Sequence, residues 1–362
     1  MLAITRVTVI DPSAAAPRVN TTVVVRGGRI AAVGPADLVT VPSGAVRVDG
    51  EGRFLIPGLW DAHAHLSYPG ACALPVMIAH GITSVRDLGG PPAEGVAWRR
   101  EIAEGRRIGP RLYLAGLNIE SAEWLEGVER MIASRADGVS RKRPWERSPR
   151  FKVSGRGDAG PAVDTAQGMG MDVVKFRNLE GGSFRAVADA AQRAGLPLAG
   201  HAPDGVTLAE AAEAGLRSLE HGANLSSLAR LTPRERQEQY RRIVRAGMFL
   251  TPTLVSDGMW APDSLVLAAI ADTAGRDDPR RRTLSRPQIE MWEDMMRDRR
   301  DWSRPMPMRE HDGIFATEVA WVREAHRAGV PLLAGTDLGT LLTFPGASLH
   351  EELALLVERV GL

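Results

Sequence analysis

The chain has 362 residues, 44% of them hydrophobic, which supplies enough apolar material for a large core. Its 45 basic and 44 acidic side chains nearly cancel, so charge makes no case for a nucleic-acid or membrane partner. Cys72 is the only cysteine, which excludes an internal disulfide framework. The start Met1-Leu2-Ala3-Ile4-Thr5-Arg6-Val7 lacks the basic start and long apolar stretch of a signal peptide, and no run approaches the roughly 20 apolar residues of a membrane span. A cytoplasmic protein is expected.

Residues 1–53 read as a unit of short strands at Leu2–Ile10, Thr21–Arg26, Arg29–Val33 and Ala45–Val48. Turns at Asp11-Pro12, Gly27-Gly28 and Pro42-Ser43-Gly44 separate them. From residue 54 onward the pattern changes. Eight strand candidates, at about 54–62, 82–88, 111–116, 172–177, 196–201, 217–221, 248–255 and 330–336, alternate with helical stretches. Those stretches are Ala-rich, as in Ser183–Ala194 and Thr207–Ala214, and several stop at a glycine (Gly81, Gly195, Gly215, Gly247, Gly329). Such alternation implies an α/β protein with a parallel sheet, and eight units fit a closed (β/α)8 TIM barrel. In that architecture the chemistry sits at the C-terminal ends of the strands.

Those ends carry the informative residues. The run Phe54–Trp60 leads into Asp61-Ala62-His63-Ala64-His65. Strand side chains alternate faces, so His63 and His65 project to one side and make half of a metal site. Taken alone, the pair reads more readily as polar residues in a loop after a strand. Similar apolar runs lead into His201, His221 and Asp337, and Met171-Asp172-Val173-Val174 leads into Lys175, a lone cation in a strand pattern. Charges are seldom buried without a partner, and imidazole and carboxylate are ordinary ligands for zinc and similar ions. His80, His311, His326 and His350 read as helix-end or surface residues. Arg86 and Asp87 end the second strand, where a structural ion pair and a substrate contact stand level. Arg177 and Asn178 follow Lys175 as pocket-wall residues.

Two insertions interrupt the pattern, at about 135–160 and 256–312. Within the first, Arg135–Lys152 carries Arg141, Lys142, Arg143, Arg147 and Arg150, and reads as a solvated loop ahead of an anion-binding one. The second holds Met259, Trp260, Met291, Trp292, Met295, Met296, Trp302, Met306 and Met308. It reads as an added helical subdomain or as an apolar lid over the substrate.

Several segments in a fixed order resemble the metal-dependent amidohydrolase superfamily, in its imidazolonepropionase-like and prolidase-like (Xaa-Pro dipeptidase-like) branch. They are Ile56–His65, His80–Gly89, Val174-Lys175-Phe176, Gly200-His201-Ala202, Glu220-His221-Gly222, Thr251-Pro252-Thr253, Ala334-Gly335-Thr336-Asp337 and Pro345–Leu353. The resemblance spans nearly the whole chain. It implies a barrel over 54–362, with 1–53 as half of a small β-sandwich.

It also implies two divalent metal ions, zinc first, with manganese, cobalt or iron as alternatives. His63, His65 and Asp337 would hold one ion, and His201 and His221 the other. Lys175, carboxylated by carbon dioxide, would bridge them. Asp337 would also carry the proton of the attacking water. The activity implied is hydrolysis of an amide bond in a small molecule, a dipeptide or an N-acyl amino acid, with a homo-oligomer left open. Lactone, cyclic-amide or organophosphate hydrolysis, and a catalytically silent binding chain, remain alternatives. Relatives complete the sandwich with strands after the eighth barrel helix, whereas this sequence stops at Glu358-Arg359-Val360-Gly361-Leu362, so a truncated C-terminus or a covering partner is expected.

Overall fold

Residues 1–133, 149–256, 261–302 and 308–362 are described in a computed structural model, which divides into two compact units, Met1–Leu59 and Trp60–Leu362. The first unit holds β1 (Leu2–Val9), β2 (Arg18–Arg26), β3 (Arg29–Pro35), β4 (Val46–Asp49) and β5 (Phe54–Leu55). They form one sheet in the order β3-β2-β1-β4, with β5 also on β1. β2 and β3 are antiparallel across Gly27 and Gly28, whose φ of 57° and 73° suit a tight hairpin turn open to glycine. Val7, Val9 and Val23 make its small core.

Phe54 and Leu55 belong to this sheet, pairing with Thr8 and Val9. The expected strand over 54–62 is therefore two strands. Pro57-Gly58 separates them, because proline offers no amide to a ladder.

The second unit is mixed α/β. Its first part runs β6 (Leu59–Ala64), α1 (Ala73–Ala79), β7 (Ile82–Asp87), α2 (Pro92–Ala103), β8 (Arg111–Leu114), β9 (Asn118–Ser121), α3 (Ala122–Ala133), β10 (Arg150–Val153) and α4 (Ala159–Gly168). It continues through β11 (Val174–Arg177), α5 (Gly181–Ala194), β12 (Leu198–Gly200), α6 (Leu208–Glu213), β13 (Leu216–Glu220), α7 (Pro233–Ala246) and β14 (Phe249–Thr251). Then come α8 (Asp263–Ala271), α9 (Arg286–Trp302), α10 (Met308–Arg327) and α11 (Ala347–Leu355).

The strands form two sheets, β6-β7-β8 and β10-β9-β11-β12-β13-β14. Every pairing in the larger sheet is parallel. Its apolar face packs residues such as Phe176, Leu198 and Leu219 against helix residues such as Phe184 and Val187 of α5.

Backbone hydrogen bonds link the sheets on both sides. Asp172 N donates to Leu114 O at 2.8 Å, joining the end of β8 to the approach to β11. On the far side Leu250 N donates to Pro331 O at 3.0 Å, and Ala62 N to Ala334 O at 2.9 Å. Segment 331–338 thus touches β14 and β6 but is held by isolated bridges instead of a regular strand. The cause is local: Pro331 has no amide, and Thr336 N turns to the Asp61 carboxylate at 3.0 Å.

The two insertions differ from the reading in part. Arg150–Val153 is a strand parallel to β9 where a loop was expected, while Arg141, Lys142, Arg143 and Arg147 lie outside the described residues. β9 itself was not anticipated, since Asn118-Ile119-Glu120-Ser121 lacks an apolar run. In the second insertion Trp292 and Met296 are buried with Val266, Leu284, Leu341 and Phe344, which is the packing of an added helical layer. Met259, Trp260, Met306 and the side chain of Trp302 lie outside the described residues, so the lid is addressed by none of them. Among the described residues no helix is long and apolar enough to cross a membrane.

Candidate metal centre

The site is assembled at the ends of β6, β11, β12 and β13 and in the turn after residue 336. Several of its residues sit in backbone conformations that side-chain-bearing residues seldom adopt: His221 at φ 65°, Thr253 at φ 52° and Asp337 at φ 54°. Such positions persist only where surroundings over-determine them, and they gather at functional sites. Here hydrogen bonds hold them. Asp337 N donates to His63 O at 2.8 Å, and His221 N donates to Thr251 O at 2.8 Å. A β-carbon on Gly335 would stand 2.9 Å from the His63 backbone nitrogen, so only glycine lets this turn lie against β6.

His63, His65 and Asp337 bring one potential ligand atom each within 4.8 Å of one another. The tautomers decide what those atoms can do. His63 Nδ1 donates to Glu220 Oε2 at 2.8 Å, and His65 Nδ1 donates to Gly89 O at 3.2 Å. A neutral imidazole that donates from Nδ1 leaves Nε2 as a bare acceptor. Both Nε2 atoms lie 3.2 Å from Asp337 Oδ1, and His63 Nε2 makes no aligned hydrogen bond there. Acceptors converging on acceptors inside a protein repel unless a cation lies between them. The residues present therefore fit a divalent metal.

His221 and His201 continue the cluster. The His221 ring centre is 4.7 Å from that of His63 and 5.0 Å from that of His201. His221 Nδ1 is 2.8 Å from Thr253 Oγ1, which leaves its other nitrogen available. Lys175 is 1% exposed, and its Nζ has no hydrogen-bond partner among the described residues. The six residues expected at the site thus lie in this region, with His63, His65 and Asp337 forming the group of three His, Cys, Asp or Glu ligands found among the described residues.

Burial sets the protonation states. It lowers Lys175 to about 8 and His221 to about 3, and takes His201 well below the ordinary histidine range. The charge of Arg177 adds to the downward push on Lys175 and His201. Burial opposes the ionised form of Asp337, but the neighbouring His63, with His65 and His221, outweighs it and holds this carboxyl well below its usual range. The outcome is a neutral imidazole at His65, His201 and His221, an ionised carboxylate at Asp337 and an amine at Lys175 that gives up its proton more easily than in water. At His63, burial is outweighed by the charge of Asp337, which raises the imidazole above its ordinary range, a pull on positive charge that a cation at this position would answer.

A supporting layer was not recognised from sequence. Glu220 is fully buried and takes Arg86 Nη2 at 2.8 Å as well as His63. The same Nη2 reaches Ser218 Oγ at 3.1 Å and Thr251 Oγ1 at 3.2 Å. Arg86 is thus a structural partner of Glu220, which in turn fixes the His63 tautomer. Asp87 makes no pair with its neighbour; its Oδ1 accepts Leu66 N at 3.3 Å. Asp61 joins β6 to the turn after 336, accepting Thr336 Oγ1 at 2.6 Å. The alternation Ser218-Leu219-Glu220 on one strand face was the available signal. Of the remaining histidines, His350 Nε2 donates to His80 O at 3.0 Å, away from the cluster.

The sequence profile of the amidohydrolase family matches residues 54–361. The chain belongs to the amidohydrolase family. That membership makes it a hydrolytic enzyme acting on carbon–nitrogen bonds.

Among solved structures, a putative prolidase from Bifidobacterium longum superposes with a TM-score of 0.67 at 22% identity, covering 100% of this chain and 79% of that one. A Xaa-Pro dipeptidase with bound methionine gives 0.68 at 19% identity, covering 99% and 84%. Bottromycin amidohydrolase gives 0.67 at 26% identity, covering 99% and 74%. These likenesses show that the chain shares their fold. None of the curated proteins compared matches the chain.

Proposed function

We propose that this amidohydrolase is a metal-dependent enzyme that cleaves an amide bond in a dipeptide or an N-acyl amino acid. The observation that carries this reading is the convergence of the His63 and His65 Nε2 atoms on Asp337 Oδ1, each at 3.2 Å. In this reading His63, His65 and Asp337 hold one divalent ion, zinc before manganese, cobalt or iron. His201 and His221 hold a second, and a carboxylated Lys175 bridges the two. Its buried amine, lowered to about 8, supplies the neutral nitrogen that carbon dioxide needs. The hydrogen bonds linking the two sheets support a closed (β/α)8 barrel, expected over 54–362 and here beginning after the Phe54–Leu55 strand of the first unit, with that first unit as half of a small β-sandwich. The prolidase-like neighbours and the carbon–nitrogen chemistry of the family support the substrate class. Composition supports a cytoplasmic enzyme.

Bound metal would polarise the scissile carbonyl and acidify a water molecule. The chain's own residues do the rest. Glu220 and Gly89 O hold the β6 imidazoles in the ligating tautomer. Asp337, ionised at rest, accepts the proton of the attacking water on a carboxylate oxygen and returns it to the leaving amine.

Asp337→Asn should lower kcat about 10²- to 10⁴-fold, as expected for a lost general base, while elemental analysis finds most of the metal retained. Hydrolysis at the wild-type rate by that variant would remove Asp337 from proton transfer.

A further inference from the structure

Next to the candidate metal centre, late in β9 and β11 and at the start of β10, lies a group of charges that the mechanism above does not use. Glu120 is fully buried. Its Oε1 stands 3.2 Å from Arg177 Nε and 3.4 Å from Arg150 Nε. Neither contact is aligned as a hydrogen bond, and both Glu120 oxygens lack one. The guanidinium carbons of Arg177 and Arg150 lie 5.3 and 5.7 Å from the ring centre of Trp124, within cation–π range. Both guanidinium groups thus approach one buried carboxylate, which would be costly to leave unpaired.

Register connects this group to the chemistry. Arg177 lies two residues beyond Lys175 on β11, so both side chains occupy the same face. Arg177 pairs in register with Glu120, as Lys175 does with Asn118, and Arg150 is on the other side of Asn118. The step from Lys175 to Arg177 is about 6–7 Å along the strand, shorter than an extended arginine side chain. The closest approach of Arg177 to Glu120 is through Nε, which makes no aligned hydrogen bond, and among the described residues no hydrogen bond is formed by its terminal nitrogens. A guanidinium fork left in that state matches a carboxylate with two parallel N–H···O bonds.

We infer that Arg177, braced with Arg150 by Glu120 and Trp124, receives a carboxylate on the amine side of the scissile amide. The leaving group is then an amino acid with a free carboxyl group, and Arg177 is a specificity-determining residue. This inference rests on the amide-hydrolase reading for its substrate but not for its binding measurement.

The test uses the metal-loaded protein and probes that cannot be cleaved: a panel of L-amino acids spanning all side-chain classes, each paired with its amino alcohol. Calorimetry should give at least one acid bound about 30-fold or more tightly than its alcohol. Arg177→Met should shrink that ratio to within about threefold, and Arg177→Lys should restore part of it. Metal content and melting temperature, measured in parallel, separate this loss from misfolding. A merely structural arginine would move both ligands of a pair alike. An equal ratio in wild type and Arg177→Met, or no acid preferred by the wild type, would overturn the inference. If the ratio collapses as expected but no dipeptide or N-acyl amino acid is hydrolysed, the carboxylate site stands and the amide-hydrolase reading fails.

Discussion

His63 shows how a single side chain is oriented before any ion arrives. Glu220 takes its Nδ1 proton, Arg86 holds Glu220, and Ala62 O holds Arg86 Nε at 2.5 Å. Each group in that relay is buried or nearly so, and each would be expensive to leave unpaired. Lys175 is the opposite case, with an amine that has no hydrogen-bond partner among the described residues and is lowered to about 8 by burial. Carboxylation would convert it into an anion with oxygens to share. Intact mass under native conditions should show one carbon dioxide adduct per chain, absent in Lys175→Ala. An unmodified wild-type mass would leave Lys175 as a buried amine with no bridging role.

The site histidines were legible because each follows an apolar run, and burial together with strand parity leaves few explanations for that. Glu120 and Arg150 were not legible as a pair, because they come from short polar strands whose pairing only the folded sheet reveals.

At the scale of elements, the strand ends carry the chemistry and the later helices brace them. α11 supplies Glu352, whose Oε2 accepts Val255 N at 2.8 Å beyond the end of β14. Burial, reinforced by Asp61 and Glu318, pushes this carboxyl from 4.5 up to about 8. Between those values the folded protein keeps a proton that the unfolded chain has released, so this group makes stability fall as pH rises through that window. Glu352→Gln removes the contribution. The variant should melt higher than wild type at pH about 9 and no higher at pH about 4.5, by thermal unfolding across the range. The same pH dependence in both proteins would contradict a buried, protonated Glu352.

Elements with strong apolar runs, such as β7, β12 and β13, stand close to their expected positions. Where the sequence misled, backbone chemistry explains the shift. Pro57-Gly58 divided one expected strand in two, and Pro331 with the Thr336–Asp61 contact reduced another to isolated bridges.

At the scale of the whole molecule, two sheets linked by hydrogen bonds on both sides bring residues 63, 175, 201, 221 and 337 into one region, though they span most of the sequence. Pairing at such separations is costly in chain entropy and is made up by the core on the helix-facing side. The family match over 54–361 covers this unit and all six candidate ligands. The account's central claim is that this region is a metal centre. Elemental analysis of folded protein, purified without chelator and supplied with zinc, tests it most directly. The account predicts about two metal ions per chain, as expected for paired sites built from these ligands. A folded protein that takes up neither zinc nor manganese would contradict it.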